Sequence, residues 1–255
     1  MLSSCVRPIS LAEQGSGGKR FVGSAFIVSS GLHRIVVTAE HVVRGPETKF
    51  MGMSIAGSLE WPTQYSRIEP FDSATPLPDV AFAFVEVTPD AEDGIATAIS
   101  IDLLLASRTF EPGASMVAVG FPGSQARAKS AQTILSAKLM SVVGDLAPEE
   151  VYARIGKRSD THLAMSFRQD ACVDENGKPA MASHPRGMSG GAMFVAAYHT
   201  GSSGQTRFIP RIVGVLTEYY PDPENIIVAA RIECVLDALG IRPEGAAARY
   251  RAVDV

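Results

Sequence analysis

A chain of 255 residues, 46% apolar and 20% charged, can build a sizeable core as one large domain or two fused small ones, and its composition excludes disorder. A net charge of −4 leaves no basic excess to suggest nucleic acid as the main partner. The longest apolar runs, such as 80–85 and 226–230, are far too short to span a membrane.

The apolar residues fall in short runs between turn residues. Runs 7–11, 21–28 and 34–38 predict strands, with turns at Gln14-Gly15-Ser16-Gly17-Gly18 and Ser29-Ser30-Gly31. Their Val and Ile pairs suit a pleated, half-buried surface. His41 follows the third run, where a short helical turn can begin. Run 79–87, bounded by Pro78 and Pro89, reads as a buried strand, and 101–107 as a helix. Strands are expected again at 115–120, 134–143, 192–198, 209–216 and 226–230, with a hairpin turn at Thr200-Gly201-Ser202-Ser203-Gly204. Residues 148–155 are ambiguous. Residues 231–239 predict the clearest helix, ended by Gly240 and followed by Pro243. The Ala- and Arg-rich tail 246–255 is expected to be solvated. Frequent strands and few helices indicate barrels or sandwiches. The expected units are 1–108, 109–230 and a helix with tail, 231–255.

Cys5, Cys172 and Cys234 are odd in number and widely spaced, and no Cys/His cluster suggests zinc. Leu2-Ser3-Ser4-Cys5 has the outline of a lipoprotein cleavage site, but no apolar stretch precedes it. The expectation is a reduced, cytoplasmic protein without metal or organic cofactor. Cys172 and Cys234 are expected as small buried apolar groups.

The stretch Gly187-Met188-Ser189-Gly190-Gly191 admits three readings: the elbow of an α/β hydrolase, another kind of nucleophile loop, or a tight turn. The elbow requires a following helix and a downstream acid and histidine. Instead, strand-like sequence follows, and the only later histidine is His199. Upstream, His41 ends a strand and Asp79 opens the buried run, where a lone carboxylate would be costly. Asp72 competes for the acid's role, but no apolar strand follows it directly. The order His41, Asp79, Ser189 is that of the chymotrypsin type of triad.

Six segments then resemble the trypsin/chymotrypsin-like serine peptidases, in particular the bacterial branch with HtrA-type catalytic domains. They are Gly23-Ser24-Ala25-Phe26-Ile27-Val28, Thr38-Ala39-Glu40-His41, Asp79-Val80-Ala81, Val119-Gly120-Phe121-Pro122, Gly187-Met188-Ser189-Gly190-Gly191 and Ile212-Val213-Gly214-Val215. The resemblance implies an all-β protein of two six-stranded antiparallel barrels, a cleft between them and a C-terminal helix. It implies a serine endopeptidase acting on proteins or peptides through an acyl-enzyme. Ser189 is the expected nucleophile, His41 its base, and Asp79 the group that orients the imidazole. The glycines permit a turn that aims the N–H groups of Gly187 and Ser189 at the developing oxyanion.

Met188 replaces the acid that pairs with a new N-terminus in trypsin-like zymogens, so no activation by that ion pair is expected. Ser183 is expected at the floor of the primary pocket, and Thr217, Glu218 and Tyr219 along its wall. An uncharged floor predicts medium apolar or small P1 residues, unless Glu218 points inward and favours basic ones. Arg186 reads equally as a residue of the cleft rim or as an exposed charge with no substrate role, while His33, His162, His184 and His199 read as structural or solvated. The alternatives are a silent fold that binds peptides and a protease switched on by a separate activating or targeting protein.

Overall fold

The computed structural model describes residues 5–12, 19–31, 33–44, 51–55, 58–60, 65–85, 98–105, 110–123, 127–129, 134–136, 138–174, 177–181, 184–200, 206–241 and 248–254. The N-terminal half contributes β1 (Val6–Ala12), β2 (Lys19–Ser30), β3 (His33–Ala39), the single-turn helix α1 (Glu40–Val43), β4 (Met51–Ile55), β5 (Ser58–Glu60), β6 (Ser66–Pro70), β7 (Val80–Val85) and β8 (Ile99–Ser100). Six of these strands run antiparallel in the order β6-β7-β3-β2-β1-β4; β5 extends that path and β8 lies parallel to β2. Among the described residues, no ladder joins the two ends of this sheet.

The second half contributes β9 (Ser115–Gly120), β10 (Arg127–Lys129), β11 (Ile134–Ser136), β12 (Met140–Asp145), α2 (Glu149–Arg154), β13 (His162–Ser166), β14 (Cys172–Val173), β15 (Pro179–Ala180), β16 (Ala192–Thr200), β17 (Thr206–Tyr220), β18 (Ile226–Arg231) and α3 (Glu233–Ala238). Its six main strands follow the order β13-β18-β17-β16-β9-β12. The Leu146–Met165 bridge and the Ala147 N–H bond to the Ala164 carbonyl (2.8 Å) draw β12 back to β13, so this sheet curls shut. The all-β class, two antiparallel sheets and C-terminal helix agree with the sequence reading.

Alternating side chains explain why these runs are apolar throughout. Phe26, Val28, Ile35, Val37 and Phe82 enter a core shared by both halves, which also holds Phe194, Ile212, Val215 and Val235. Their neighbours Ala25, Ile27, Val36 and Ala81 pack on the opposite face of the N-terminal sheet. A strand with both faces buried loses the apolar–polar alternation.

Several elements differ from expectation. Ile101–Leu103 is one 3-10 turn, not a longer helix, because Leu104 turns extended and bridges Ile212. The expected strand 134–143 divides into β11 and β12, which pair with different partners. Residues 148–155 resolve as α2. Arg231 belongs to β18, held by Thr161 and Ser159 carbonyls, so α3 begins two residues later than the helix pattern suggests. Its end matches: Gly240 has φ +73°, and Gly240 N–H and Ile241 N–H bond the Asp237 and Leu236 carbonyls.

The tail is only partly solvated. Tyr250–Asp254 forms β19, antiparallel to β6, with Tyr250 buried in the shared core and Arg251, Ala252 and Asp254 exposed. This strand thus joins the sheet that holds β1. The proposed boundary near 108 and the hairpin turn 200–204 touch residues outside the described set. All three cysteines are buried thiols outside any disulfide.

The two halves meet most tightly at the Ser189–Gly190 turn. A Cβ on Gly190 would lie 1.9 Å from the Ser24 carbonyl oxygen and 2.2 Å from Thr38 Oγ1, and the residue has φ +84°. Gly190→Ala combines a clash with a left-handed backbone and should cost about 3 kcal/mol or more. Gly31→Ala, at φ +57° with open space around it, should cost only about 1 kcal/mol. Urea denaturation of both variants checks the contrast; equal losses would mean that the turn is not tightly docked.

Candidate active site

The Asp79 carboxylate organises the N-terminal side of the site. Asp79 has φ +53°, a left-handed conformation that short polar side chains tolerate. That turn lets one carboxylate serve two groups of His41. Oδ1 accepts the His41 main-chain N–H at 3.0 Å, and Oδ2 lies 2.6 Å from Nδ1. The Asp79 carbonyl also accepts the Glu40 N–H at 2.9 Å. The carboxylate thus caps the short helix α1 and orients its imidazole.

The hydrogen bond from Asp79 raises the His41 pKa above its ordinary 6.5; partial burial opposes this, and the charges of Asp79 and Glu218 add to it. His162 behaves oppositely. It is 2% exposed, and burial, reinforced by Lys157, pushes its pKa down to about 4. It bonds Thr161 Oγ1 at 2.9 Å, in keeping with its structural reading.

The C-terminal side is a turn between β15 and β16. Gly187 and Gly190 both have positive φ, +98° and +84°. Met188 N–H bonds Pro185 O, and Gly191 N–H bonds Met188 O, at 2.9 and 2.8 Å. The N–H groups of Gly187 and Ser189 donate to no group among the described residues.

Gly23 brings this turn and α1 together: a Cβ there would meet Val42 at 2.7 Å and the Ser189 carbonyl at 3.1 Å. Ser189 therefore lies one glycine away from the residue after His41. Its Oγ donates to the Thr217 carbonyl at 3.2 Å instead of the imidazole.

A cavity of about 300 Å³ opens beside Ser189. Gly187, Thr217, Glu218 and Tyr219 line it, as do His184, Arg186, Met188, Leu216 and Ile227. Ser183, the expected floor, lies outside the described residues. His184, expected as structural or solvated, is exposed and also lines the cavity, with its ring edge-on to Tyr219, 5.1 Å between centroids. Its place in the serine loop is the sequence signal for that position. Arg186 is exposed and lines the cavity as well.

Glu218 lines the cavity but is committed elsewhere. One oxygen pairs with Lys157, and the other accepts the Tyr220 hydroxyl at 2.8 Å. Burial works against its charge, yet these partners hold its pKa below the ordinary range. Met188, where zymogens carry an acid, is 2% exposed in the apolar core of the second sheet. Among the described residues, no three His, Cys, Asp or Glu side chains gather as a metal site. No described helix is long and apolar enough to cross a membrane.

This is the fold of the trypsin-like serine proteases, shown by comparison with solved structures. A serine endoprotease from Yersinia pestis aligns with TM-score 0.50 and 17% identity over 94% of this chain and 62% of the other. The chain thus spans less than two thirds of that protein. Mouse neuropsin, a serine protease, aligns with TM-score 0.53 and 13% identity over 92% and 91% of the two chains. An inactivated protease paralogue from the scabies mite aligns with TM-score 0.55 and 17% identity over 93% and 91%. By sequence, the chain matches no protein-family model and no curated protein.

Asp79→Asn removes the negative charge that favours imidazolium. The His41 pKa should fall, which a proton NMR titration of the imidazole reads directly. The linked stability follows the same sign. With its folded pKa raised, His41 stabilises the fold fully below about 6.5, the unfolded value. That contribution fades as pH rises through the folded pKa, and in Asp79→Asn it should shrink. An unchanged imidazole titration would mean that the carboxylate does not set the proton affinity of His41.

Proposed function

We propose that the protein is a serine endopeptidase, with Ser189 as nucleophile, His41 as general base and Asp79 as the group that orients the imidazole. The observation that carries this reading is the Asp79 carboxylate gripping His41 through both main chain and Nδ1, on the opposite wall from a glycine turn bearing Ser189. In the reaction, His41 Nε2 takes the Ser189 proton as Oγ attacks the peptide carbonyl. The N–H groups of Gly187 and Ser189 stabilise the resulting oxyanion. His41 then protonates the leaving amine, and water releases the acyl group by the reverse sequence. No cofactor is needed for these steps.

The cavity supports a medium apolar or small P1 residue. Leu216, Met188 and Ile227 supply apolar wall, and the one carboxylate among its lining residues is engaged by Lys157 and Tyr220. A panel of chromogenic peptides should give higher kcat/KM with Val, Leu or Met at P1 than with Arg or Lys. The reverse order would overturn this assignment of the pocket. A cytoplasmic setting is consistent with three buried cysteines outside any disulfide.

One observation favours a second reading, a silent or partner-activated protein: the Ser189 hydroxyl points to the Thr217 carbonyl. A fluorophosphonate probe separates the two. Wild type should gain one adduct by intact mass, and Ser189→Ala and His41→Ala should gain none. In Ser189→Ala, kcat should fall by up to about a million-fold. Activity should also fall as pH drops through the His41 pKa, with a midpoint above 6.5. A folded wild type that never reacts would move the balance to the second reading.

A further inference from the structure

We infer that Ser24, on the N-terminal sheet, is a positioning residue for the oxyanion-binding turn of the other half. The inference rests on the peptidase reading and adds a residue to which that reading gives no role.

Ser24 is 0% exposed and makes four hydrogen bonds, two of them to the serine turn and one each to Phe121 and Thr38. Its Oγ donates to the Gly187 carbonyl at 3.1 Å and accepts the Phe121 N–H at 2.9 Å. Its main-chain N–H donates to the Ser189 carbonyl at 2.8 Å. Its own carbonyl accepts the Thr38 hydroxyl at 2.7 Å. The strand register explains why it is free to do this. The β2–β3 ladder ends at Ala25–Thr38, and Ser24 lies one residue beyond it, opposite Pro8 on β1. Proline has no N–H to offer the ladder.

These bonds act on the peptide groups around the oxyanion donor. Ser24 Oγ holds the carbonyl of the Gly187–Met188 peptide. The preceding peptide is held from the other side, where Gly123 N–H bonds the Arg186 carbonyl at 2.7 Å. In a trans peptide, C=O and N–H point in opposite directions. With the Arg186 carbonyl tied to Gly123, the Gly187 N–H must face away from it. With both flanking carbonyls tied, the φ of +98° at Gly187 is set from outside the turn. A Cβ on Gly187 would lie 2.7 Å from both Gly123 N and Phe21 Cε1, so the turn has little room to rearrange.

A hydroxyl that only satisfied the buried Phe121 N–H would affect stability and nothing else. The positioning role makes a different demand: losing Oγ should slow the chemical step and spare substrate binding. The test compares wild type and the hydroxyl-free variants Ser24→Ala and Ser24→Gly with a control, Tyr152→Phe. Tyr152→Phe removes a different buried hydroxyl, the acceptor of the Ala164 N–H at 3.0 Å, away from the serine turn. Circular dichroism melts set an assay temperature at which the variants are folded, and the glycine variant serves if the alanine variant does not fold. Fluorophosphonate labelling and peptide hydrolysis then give the rates. The hydroxyl-free variants should lose about a hundredfold in labelling rate and kcat, with KM within about twofold. Tyr152→Phe should lose stability but keep its rate. Hydroxyl-free variants labelled at the wild-type rate would overturn the inference and leave the peptidase reading standing. Absence of labelling in wild type would overturn the peptidase reading instead. The position of the Gly187 amide cross-peak in a 15N–1H spectrum then decides for Ser24: a shift in Ser24→Ala supports the tether, and an unmoved peak overturns it.

Discussion

Everything at the site depends on how closely a glycine turn of one half approaches the strands of the other. Gly190 stands against the Ser24 carbonyl and the Thr38 hydroxyl with no room for a methyl group. Thr38 ends the strand that leads through Ala39 and Glu40 to His41. The same packing that seats Ser189 therefore sets its distance from α1. Neither half holds both chemical groups, so the site exists only when the shared core of Phe26, Phe82, Phe194 and Val215 has formed.

Two kinds of force hold the opposing walls. On the N-terminal wall the force is electrostatic: one carboxylate bonds the main chain and ring of the same histidine. Charge-assisted bonds of this kind are directional, so they fix the orientation of the imidazole ring. On the C-terminal wall the force is mostly burial. Met188 enters a core rich in methionine, beside Met116, Met165 and Met193, where an acid would need a partner charge. Burying a thioether there anchors the turn without an ion pair.

The short apolar runs were legible because strands with two buried faces leave continuous hydrophobic segments. Asp79 was legible because an acid at the mouth of such a run needs a partner, and it has one in His41. Other features left no local mark. The break between β11 and β12 separates residues that pair with different strands, although the apolar pattern runs across it. The tail looked solvated because one buried side chain, Tyr250, carries its anchoring against charged neighbours. Arg231 reads as helix by local pattern, but bonds to Thr161 and Ser159 keep it in β18. Ser24 carried no local sign of its placement, since its partners Gly187, Ser189 and Phe121 are remote in the chain.

The sequence by itself determined the all-β class, the positions of most strands, and the three residues whose order suggested a chemistry. These follow from local regularities: strand periodicity, turn residues, and the cost of leaving a carboxylate alone in apolar surroundings. Only the tertiary structure decided that Glu218 is neutralised by Lys157, that Met188 is core, and that the tail returns to the first sheet. Only it decided that the Ser24 hydroxyl bonds the Gly187 carbonyl and that the Ser189 hydroxyl bonds the Thr217 carbonyl. Each of these is a contact between segments far apart in the chain. Its energy depends on distance and direction in space, which residue order does not encode locally.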